Sequence, residues 1–239
     1  ITICKMTNIN QSKLKKATKV FNEVFNKYDV MNDIMSFGAH RLWKKKLIDW
    51  MNPNKGDYLI DIASGTGDVA KAFMKRTNYL GKVACVEPNK LMMNEGKKKL
   101  KSIQNINWTC SFAEKLPFKN ETFDTYSVSF GIRNFSDINS SLQEAKRVLK
   151  TGGRIFCLEF SKIDNELLGK FYKIYSKSIP VIGKYVVGSS EPYEYLTQTI
   201  KEFYSQDELS NIFKKNGFSN VEYRNLSGGI VAIHSGWKI

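Results

Sequence analysis

The spacing of apolar residues divides most of the chain into alternating strand-like and helix-like segments. Short apolar runs bounded by turn residues, typical of buried parallel strands, lie at 58–63, 83–87, 105–110, 123–130 and 152–160. Between them, apolar residues recur at helical spacing at 68–75, 91–103 and 138–149. Strands that alternate with helices in this way predict an α/β fold, a parallel sheet with helices on both faces.

The two ends of the chain depart from this alternation. Residues 14–25 and 43–51 have helical spacing, and the stretch between them is dense in polar and aromatic side chains, which suggests a lid or pocket wall. We therefore assign residues 1–52 to an N-terminal helical lid or substrate segment. At the other end, 218–224 and 230–237 predict two strands that close the sheet as an antiparallel hairpin.

The rest of the chain, 53–239, is assigned to one main domain. Within it, residues 164–205 lose the strand rhythm and are rich in aromatic residues, so they are predicted as a helical insert of two helices around a loop. The insert is a candidate for a substrate cover, a dimer surface or a membrane-facing patch. The sequence does not choose between these roles.

A glycine-rich turn, Ser64-Gly-Thr-Gly67, joins the first strand to the next helix. Glycine permits backbone angles closed to other residues and lets a ligand lie against bare main chain. No Lys-Ser/Thr pair follows, so this is not a triphosphate-binding loop. Asp61 and Asp68 flank the turn, an acidic setting that would repel a pyrophosphate and suits a cation. An ordinary strand-turn-helix, with glycines for geometry alone, is the alternative.

A second acid favours a nucleoside ligand. Glu87 ends the second strand twenty positions after Gly67, where a carboxylate can accept hydrogen bonds from both ribose hydroxyls. In parallel sheets of this kind, ligands bind outside the carboxyl ends of the strands. The residues at those ends are therefore the ones expected to carry function: 63–68, Glu87, Phe112-Ala113 and 129–134.

Composition and charge narrow the class of protein. The chain has 239 residues, 42% hydrophobic and 25% charged, which is ordinary for a globular protein with one main core. No stretch reaches the roughly 18 uninterrupted apolar residues of a membrane span. The net charge of +14 indicates either attraction to an anionic surface or a solvated, lysine-rich surface. No arginine-rich stripe or RNA-binding signature accompanies that charge.

The cysteines and histidines do not suggest a metal site. The four cysteines have no CxxC spacing, and three of them, Cys85, Cys110 and Cys157, lie in apolar runs. Buried free thiols in a reducing compartment are therefore expected. The two histidines, His40 and His234, are far apart in sequence, so we expect no bound metal.

Several stretches resemble those of the ubiquinone/menaquinone biosynthesis C-methyltransferases. These are Tyr28–Trp43, Asp61–Asp68, Ser129-Phe-Gly-Ile-Arg-Asn134, Arg147–Gly153 running into Leu158–Ser161, and 228–237. The first and third are specific to that family, whereas Asp61–Asp68 resembles motif I of methyltransferases generally. The resemblance covers nearly the whole chain from about Val20. It implies a class I methyltransferase fold: a Rossmann-like, seven-stranded, mostly parallel sheet with a C-terminal antiparallel hairpin.

The resemblance also implies S-adenosylmethionine as the methyl donor. The cofactor contacts that it implies are Asp61, Ser64, Gly65, Thr66 and Gly67 around the turn, Glu87 at the ribose, Phe112 and Ala113 beside the adenine, and Ser129 after the fourth strand. Two of these positions depart from the family's usual residues. Where this chain has Glu87 the family often has Asp, and the change keeps the carboxylate. Where this chain has Phe112 the family often has Asn or Asp, so stacking or main-chain bonding must replace a side-chain contact.

The implied methyl acceptor is a ring carbon of a polyprenylated quinol. Such a carbon attacks well only when an ortho or para oxygen carries negative charge, and a ring proton must leave afterwards. The candidate residues are Arg133 to stabilise the phenolate, Asn134 to orient it, Asp29, Asp33 or His40 to accept the proton, and Tyr28 to position the ring. An ion pair between Arg133 and Asp33 that clamps the lid is the alternative role for Arg133.

The polyprenyl tail implies peripheral work at a membrane, in a bacterial cytoplasm or on the matrix side of the mitochondrial inner membrane. A homodimer or a quinone-biosynthesis complex is a possible assembly.

Two other functions stay open: methylation of another small phenol or sterol, and an RNA-binding methyltransferase-like protein, which the charge would suit. Base methyltransferases commonly carry an Asn/Asp-Pro-Pro-aromatic motif after the fourth strand. That motif is absent, so no nucleic-acid partner is expected. The type of quinone ring and the length of its tail are undetermined.

Overall fold

The structure is a computed structural model that describes residues 38–163 and 190–239, together with Asn22, Asn32, Asp33 and Ser36. Three of the sequence predictions fall outside the described residues. They are the helix at 14–25, the candidate residues Tyr28 and Asp29, and the part of the insert at 164–189.

A seven-stranded sheet forms the centre of the molecule, with the strand order β3-β2-β1-β4-β5-β7-β6. The strands are β1 (Tyr58–Ile62), β2 (Lys82–Val86), β3 (Ile106–Thr109), β4 (Phe123–Ser129), β5 (Leu149–Phe160), β6 (Ser219–Leu226) and β7 (Val231–Trp237). The first five strands pair in parallel, and β7 is antiparallel to both β5 and β6. The predicted mostly parallel sheet with a closing hairpin is therefore confirmed.

Six α-helices lie in the described part of the chain. They are α1 (His40–Met51), α2 (Asp68–Arg76), α3 (Lys90–Lys99), α4 (Ile138–Val148), α5 (Glu191–Glu202) and α6 (Gln206–Lys215). Their positions follow the apolar spacing, with shifts of a few residues at the ends. The helix α6 begins with a capping box, in which the Ser205 and Glu208 side chains bond each other's backbone N–H.

The helices cover both faces of the sheet because each strand sends alternate side chains to opposite sides. In β1, Ile60 packs with α4 and α6 in one core cluster, whereas Leu59 packs with α1 and α2 in the other. Leu47 of α1 is fully buried in that second cluster. The helix α1, which belongs to the predicted lid segment, therefore shares a hydrophobic core with the sheet.

Two expectations from composition can be compared with the structure. Cys85 and Cys157 are buried free thiols, as predicted. Cys110 is disulfide-bonded, so the prediction of a free thiol was wrong there. Cys110 follows β3, an edge strand, and is only partly buried, which leaves its sulfur within reach of a partner. In the described part of the chain, no helix is both long enough and apolar enough to cross a membrane.

Candidate active site

The glycine turn lies at the carboxyl end of β1 and has a left-handed backbone at three positions. The φ angles are 51° at Ala63, 57° at Gly65 and 84° at Gly67, the residue that precedes α2. A β-carbon on Gly67 would lie 2.6 Å from Cδ1 of Leu100. Both the backbone angle and this close approach therefore require glycine at position 67.

Glu87 is held against this turn by main-chain hydrogen bonds. Its Oε2 accepts from the N–H of Gly65 at 2.9 Å, and its Oε1 accepts from the N–H of Asn89 at 2.9 Å. Burial raises the pKa of Glu87 to about 7. A carboxylate has about four acceptor positions, so lone pairs remain for ligand hydroxyls. The structure thus brings together the predicted ribose acid and the predicted glycine turn.

Asp61 and Ser129 carry buried polar atoms that lack hydrogen bonds. Oδ1 of Asp61 accepts from the hydroxyl of Ser127 at 2.6 Å, whereas its Oδ2 has no partner among the described residues, nor has Oγ of Ser129. Burial raises the pKa of Asp61 to about 7. Because a buried polar atom without a partner is costly, these atoms indicate where the polar groups of a ligand would bind.

A small cavity, which we call the cofactor cradle, connects these residues. Its volume is about 20 Å³, and it is lined by Lys44, Asp61, Ala63, Ser64, Gly65, Thr66, Asp68, Val69, Ser129 and Phe130. The acidic and hydroxyl groups among them suit the ammonium group at the amino-acid end of S-adenosylmethionine. The residues present therefore fit the predicted methyl donor.

The predicted adenine residues lie farther along the same edge of the sheet. Phe112 and Ala113 follow β3, and both are buried. The main-chain oxygen of Phe112 accepts from the N–H of Lys115 at 3.3 Å. Ala113 belongs to the hydrophobic core on the α4 side of the sheet. Neither residue lines the cofactor cradle.

Asp68 connects the turn to two lysines from different helices. Its Oδ2 lies 2.8 Å from Nζ of Lys44 in α1, and its Oδ1 lies 2.8 Å from Nζ of Lys99 in α3. Burial alone would raise the pKa of Asp68, but the two ammonium groups, Lys44 first, hold it well below its usual range. Asp68 is therefore ionised.

Arg133 is buried at the carboxyl end of β4, where it forms an ion pair with Glu159 at the end of β5. Its Nη1 lies 2.7 Å from Oε1 of Glu159 and donates to the main-chain oxygen of Phe130 at 2.6 Å. The guanidinium also lies over the ring of Phe160, 5.8 Å from its centroid. Arg133 thus pairs with Glu159. The alternative in which Arg133 pairs with Asp33 and clamps the lid was wrong about its partner.

Asn134 and Asp33 have other partners. Oδ1 of Asn134 accepts from the hydroxyl of Tyr195 in α5 at 2.9 Å. Asp33 binds Nη2 of Arg41 at 3.0 Å and Nε2 of His40 at 3.0 Å. The hydrogen bond from Arg41 lowers the pKa of Asp33, and burial lowers that of His40.

An aromatic cluster joins α1 to the site. The ring of Trp43 lies 6.1 Å from that of Phe130 and 6.0 Å from that of Phe160, centroid to centroid. Its indole N–H donates to Oγ of Ser227 at 2.9 Å. Because Phe130 and Phe160 both contact Arg133, the helix that carries His40 and Lys44 is packed onto the same end of the sheet.

Comparison with known proteins decides the family. Residues 6–238 match the model of the ubiE/COQ5 methyltransferase family, which is nearly the whole chain. The chain belongs to this family. It is an S-adenosylmethionine-dependent methyltransferase, so the methyl donor that the resemblance implied is confirmed.

Curated relatives of this methyltransferase are similar along nearly their full length. A protein of Rickettsia bellii is 46% identical over 98% of this chain and 99% of its own, and one of Ruegeria sp. is 45% identical over 92% and 89%. Both are named ubiquinone/menaquinone biosynthesis C-methyltransferase.

Solved structures of other methyltransferases share the fold. A S-adenosylmethionine-dependent methyltransferase of Thermotoga maritima, described as a possible histamine N-methyltransferase, aligns with a TM-score of 0.65 at 22% identity, over 93% of this chain and 99% of that one. One from Aquifex aeolicus aligns with a TM-score of 0.61 at 17% identity, over 97% and 100%. These similarities concern the fold alone.

Three residues that contact the predicted site residues or the glycine turn were missed in the sequence. Glu159 is the one acid within the apolar run 155–160, a signal that could have revealed it. Lys44 was hidden in a run of three lysines, and Tyr195 in an aromatic-rich segment. Only their contacts with Asp68 and Asn134 distinguish these two from their neighbours.

Proposed function

We propose that this methyltransferase methylates a ring carbon of a polyprenylated quinol. The quinol is the benzoquinol of the ubiquinone pathway, demethylmenaquinol, or both. The curated relatives are named for this pathway. The observation that carries the proposal is the position of Phe130. This residue lines the cofactor cradle, and its main-chain oxygen accepts a hydrogen bond from Arg133. A permanent cation is therefore hydrogen-bonded to a residue that lines the cofactor cradle.

Arg133 is suited to stabilise the negative oxygen of the quinol. S-adenosylmethionine supplies an activated methyl group when bound, so the chain's own task is to make the ring carbon nucleophilic. The Nε of Arg133 is buried and has no hydrogen-bond partner among the described residues. Arg133 also lines a cavity of about 340 Å³ next to α5, with room for part of a substrate. Glu159 fixes the guanidinium, and Asn134 orients the same oxygen.

His40 is the stronger candidate for accepting the ring proton. Because Asp33 is ionised, its oxygen accepts a hydrogen bond from Nε2–H of His40, which leaves the lone pair on Nδ1. This Nδ1 has no hydrogen-bond partner among the described residues, and burial keeps the ring neutral. Asp33 is a weaker base because Arg41 and His40 already bind its oxygens. Tyr28 and Asp29 keep their proposed roles.

The enzyme would work at a membrane surface, because its proposed substrate carries a polyprenyl tail. A groove of about 760 Å³ next to α1 and α2 offers a cationic surface, lined by Arg41, Lys44, Lys45, Lys75, Arg76 and Lys99 against Asp49 and Asp68. Peripheral binding to the inner membrane, in a bacterial cytoplasm or a mitochondrial matrix, accounts for the excess of positive charge. Wild-type protein should co-sediment with anionic vesicles and be released by salt. Equal binding to neutral vesicles would contradict this.

The lid and the assembly are also proposals. Residues 1–52 would cover the site, since the described helix α1 packs through Trp43 onto Phe130 and Phe160. A homodimer or a complex of quinone-biosynthesis enzymes would show as a larger species in analytical ultracentrifugation. A monomer at micromolar concentration would argue against the homodimer.

The test of the function is methylation of short-tailed demethylquinols under reducing conditions. Calorimetry first measures S-adenosylmethionine binding. Wild type should then methylate a benzoquinol, a naphthoquinol or both, and Arg133→Ala should lower kcat at least 100-fold with cofactor affinity unchanged. The matched variant Arg133→Lys keeps the charge and should retain part of the activity. Cofactor binding without turnover of either quinol would exclude this substrate class and favour another phenol or a sterol.

A further inference from the structure

Lys44 lines the cofactor cradle as well as the cationic groove, and no role toward the cofactor has been given to it above. Among the described residues that form this cavity, Lys44 alone carries a positive charge. Its side chain is 13% exposed, and its Nζ lies 2.8 Å from Oδ2 of Asp68. A half-buried ammonium group in an otherwise acidic cavity calls for an anionic partner from the ligand as well as from the protein.

The ion pair of Lys44 and Asp68 separates two cavities. Both residues line the cradle of about 20 Å³, and both line the neighbouring groove of about 760 Å³. The ion pair is therefore a wall that the cradle shares with the groove.

Asp68 can release Lys44 without becoming an isolated charge. Its second oxygen, Oδ1, lies 2.8 Å from Nζ of Lys99, which belongs to a different helix. If Lys44 turns away, Lys99 still neutralises Asp68. Moving Lys44 therefore breaks its ion pair with Asp68 and leaves the ion pair of Lys99 and Asp68 in place.

Two of the three charged residues of the cradle match the two charges of an amino acid. The free Oδ2 of Asp61 is buried and suits a cation, whereas the Nζ of Lys44 suits a carboxylate. We propose that Lys44 binds the carboxylate of the amino-acid end of S-adenosylmethionine and exchanges Asp68 for it. Lys44 is thus a cofactor-binding residue contributed by α1. The proposal rests on the cofactor assignment.

The test compares two ligands that differ only by this carboxylate, S-adenosylmethionine and decarboxylated S-adenosylmethionine. Calorimetry measures both with wild type, Lys44→Met and Lys46→Met. Lys46 is an exposed lysine of the same helix that lines neither cavity, and it serves as the control. We expect Lys44→Met to weaken S-adenosylmethionine binding about tenfold or more and to leave the decarboxylated ligand unchanged. Lys46→Met should change neither affinity, and Lys44→Arg should recover most of the loss.

Three results would overturn the assignment. The first is that Lys44→Met weakens the binding of both ligands equally, which would indicate a general loss of the cradle, and the second is that it weakens the binding of neither. Thermal unfolding of the ligand-free variants identifies any folding defect, and a misfolded Lys44→Met is replaced in the comparison by Lys44→Gln. A wild-type protein that binds neither ligand would overturn the cofactor assignment itself. That outcome is distinct, because in the other two the wild type still binds S-adenosylmethionine.

Discussion

Arg133 and Glu159 form an ion pair that is 4% and 1% exposed at its two side chains, with 2.7 Å between Nη1 and Oε1. Glu159 is the penultimate residue of β5, and Arg133 lies four residues after the end of the neighbouring parallel strand β4, in the short 3-10 helix Ile132–Asn134. Glu159 also accepts a hydrogen bond from the N–H of Phe160 at 2.9 Å, so the carboxylate is fixed to its own strand. The position of the Arg133 guanidinium is therefore set by Glu159 and by the main-chain oxygen of Phe130.

Removing either member of this pair should be more harmful than removing both. Arg133→Met or Glu159→Met leaves an uncompensated buried charge, at a cost of about 3 to 5 kcal/mol in the free energy of unfolding. The double variant should recover part of that loss, as measured by urea unfolding. Glu159→Met should also lower kcat, because Arg133 loses the group that positions it. Additive losses in stability would contradict a coupled pair.

Asp61→Asn should stabilise the ligand-free enzyme above pH 7 and weaken cofactor binding. The pKa of Asp61 is raised from 3.8 to about 7, so the folded state binds more protons than the unfolded state, and stability falls as pH rises from about 4 to 7. Asparagine removes this loss, so the melting temperature of the variant should exceed that of wild type at pH 8. The difference should vanish near pH 4. Calorimetry should show at least tenfold weaker binding of S-adenosylmethionine.

Cofactor affinity of the wild type should increase with pH. Asp61 and Glu87, both with a pKa of about 7, bind a cation and ribose hydroxyls best when ionised. Binding therefore releases protons below pH 7, and affinity should rise between pH 6 and 8 and then level off. Calorimetry in buffers of different ionisation enthalpy counts the protons. An affinity that does not change with pH would show that neither carboxyl group changes its protonation on binding.

Tyr195→Phe should affect the substrate more than the cofactor. The change removes the hydroxyl that donates to Oδ1 of Asn134 at 2.9 Å, a hydrogen bond of about 1 kcal/mol. We expect kcat/KM for the quinol to fall about tenfold, with the affinity for S-adenosylmethionine unchanged. Tyr79→Phe, at a 55% exposed position after α2, is the control. Equal effects of the two variants on kcat/KM would show that Asn134 does not bind the substrate.

Gly131→Ala should displace the cofactor turn. A β-carbon on Gly131 would lie 2.6 Å from that of Ala63, which precedes the turn. The clash should cost about 1 to 3 kcal/mol of unfolding free energy and weaken cofactor binding. Ala63→Gly removes the obstructing atom and suits the φ of 51° there, so the double variant should recover both properties. If it recovers neither, the contact with Ala63 is not the cause.

The positions of single elements could be predicted from local sequence. The apolar run 58–63, the glycine turn and Glu87 are local patterns, and the rule that ligands bind at strand ends brings Glu87 to Gly65, where the structure has it. Several boundaries were displaced by one to four residues. The fifth strand begins at Leu149, three residues early, because Leu149 already pairs with Phe123. The first helix begins at His40 instead of Trp43.

The sequence by itself therefore determined the order of elements, the sheet with helices on both faces, the closing hairpin and the methyl donor. The elements depend on periodicity, and the methyl donor depends on the resemblance of short stretches such as Asp61–Asp68. Only the tertiary structure decided the partners of the charged groups. Arg133 meets Glu159 because the turn after β4 lies beside the end of β5, and Lys44 reaches Asp68 through the packing of α1 on the sheet. A charged side chain can pair with many others, and which one it meets depends on how the elements pack.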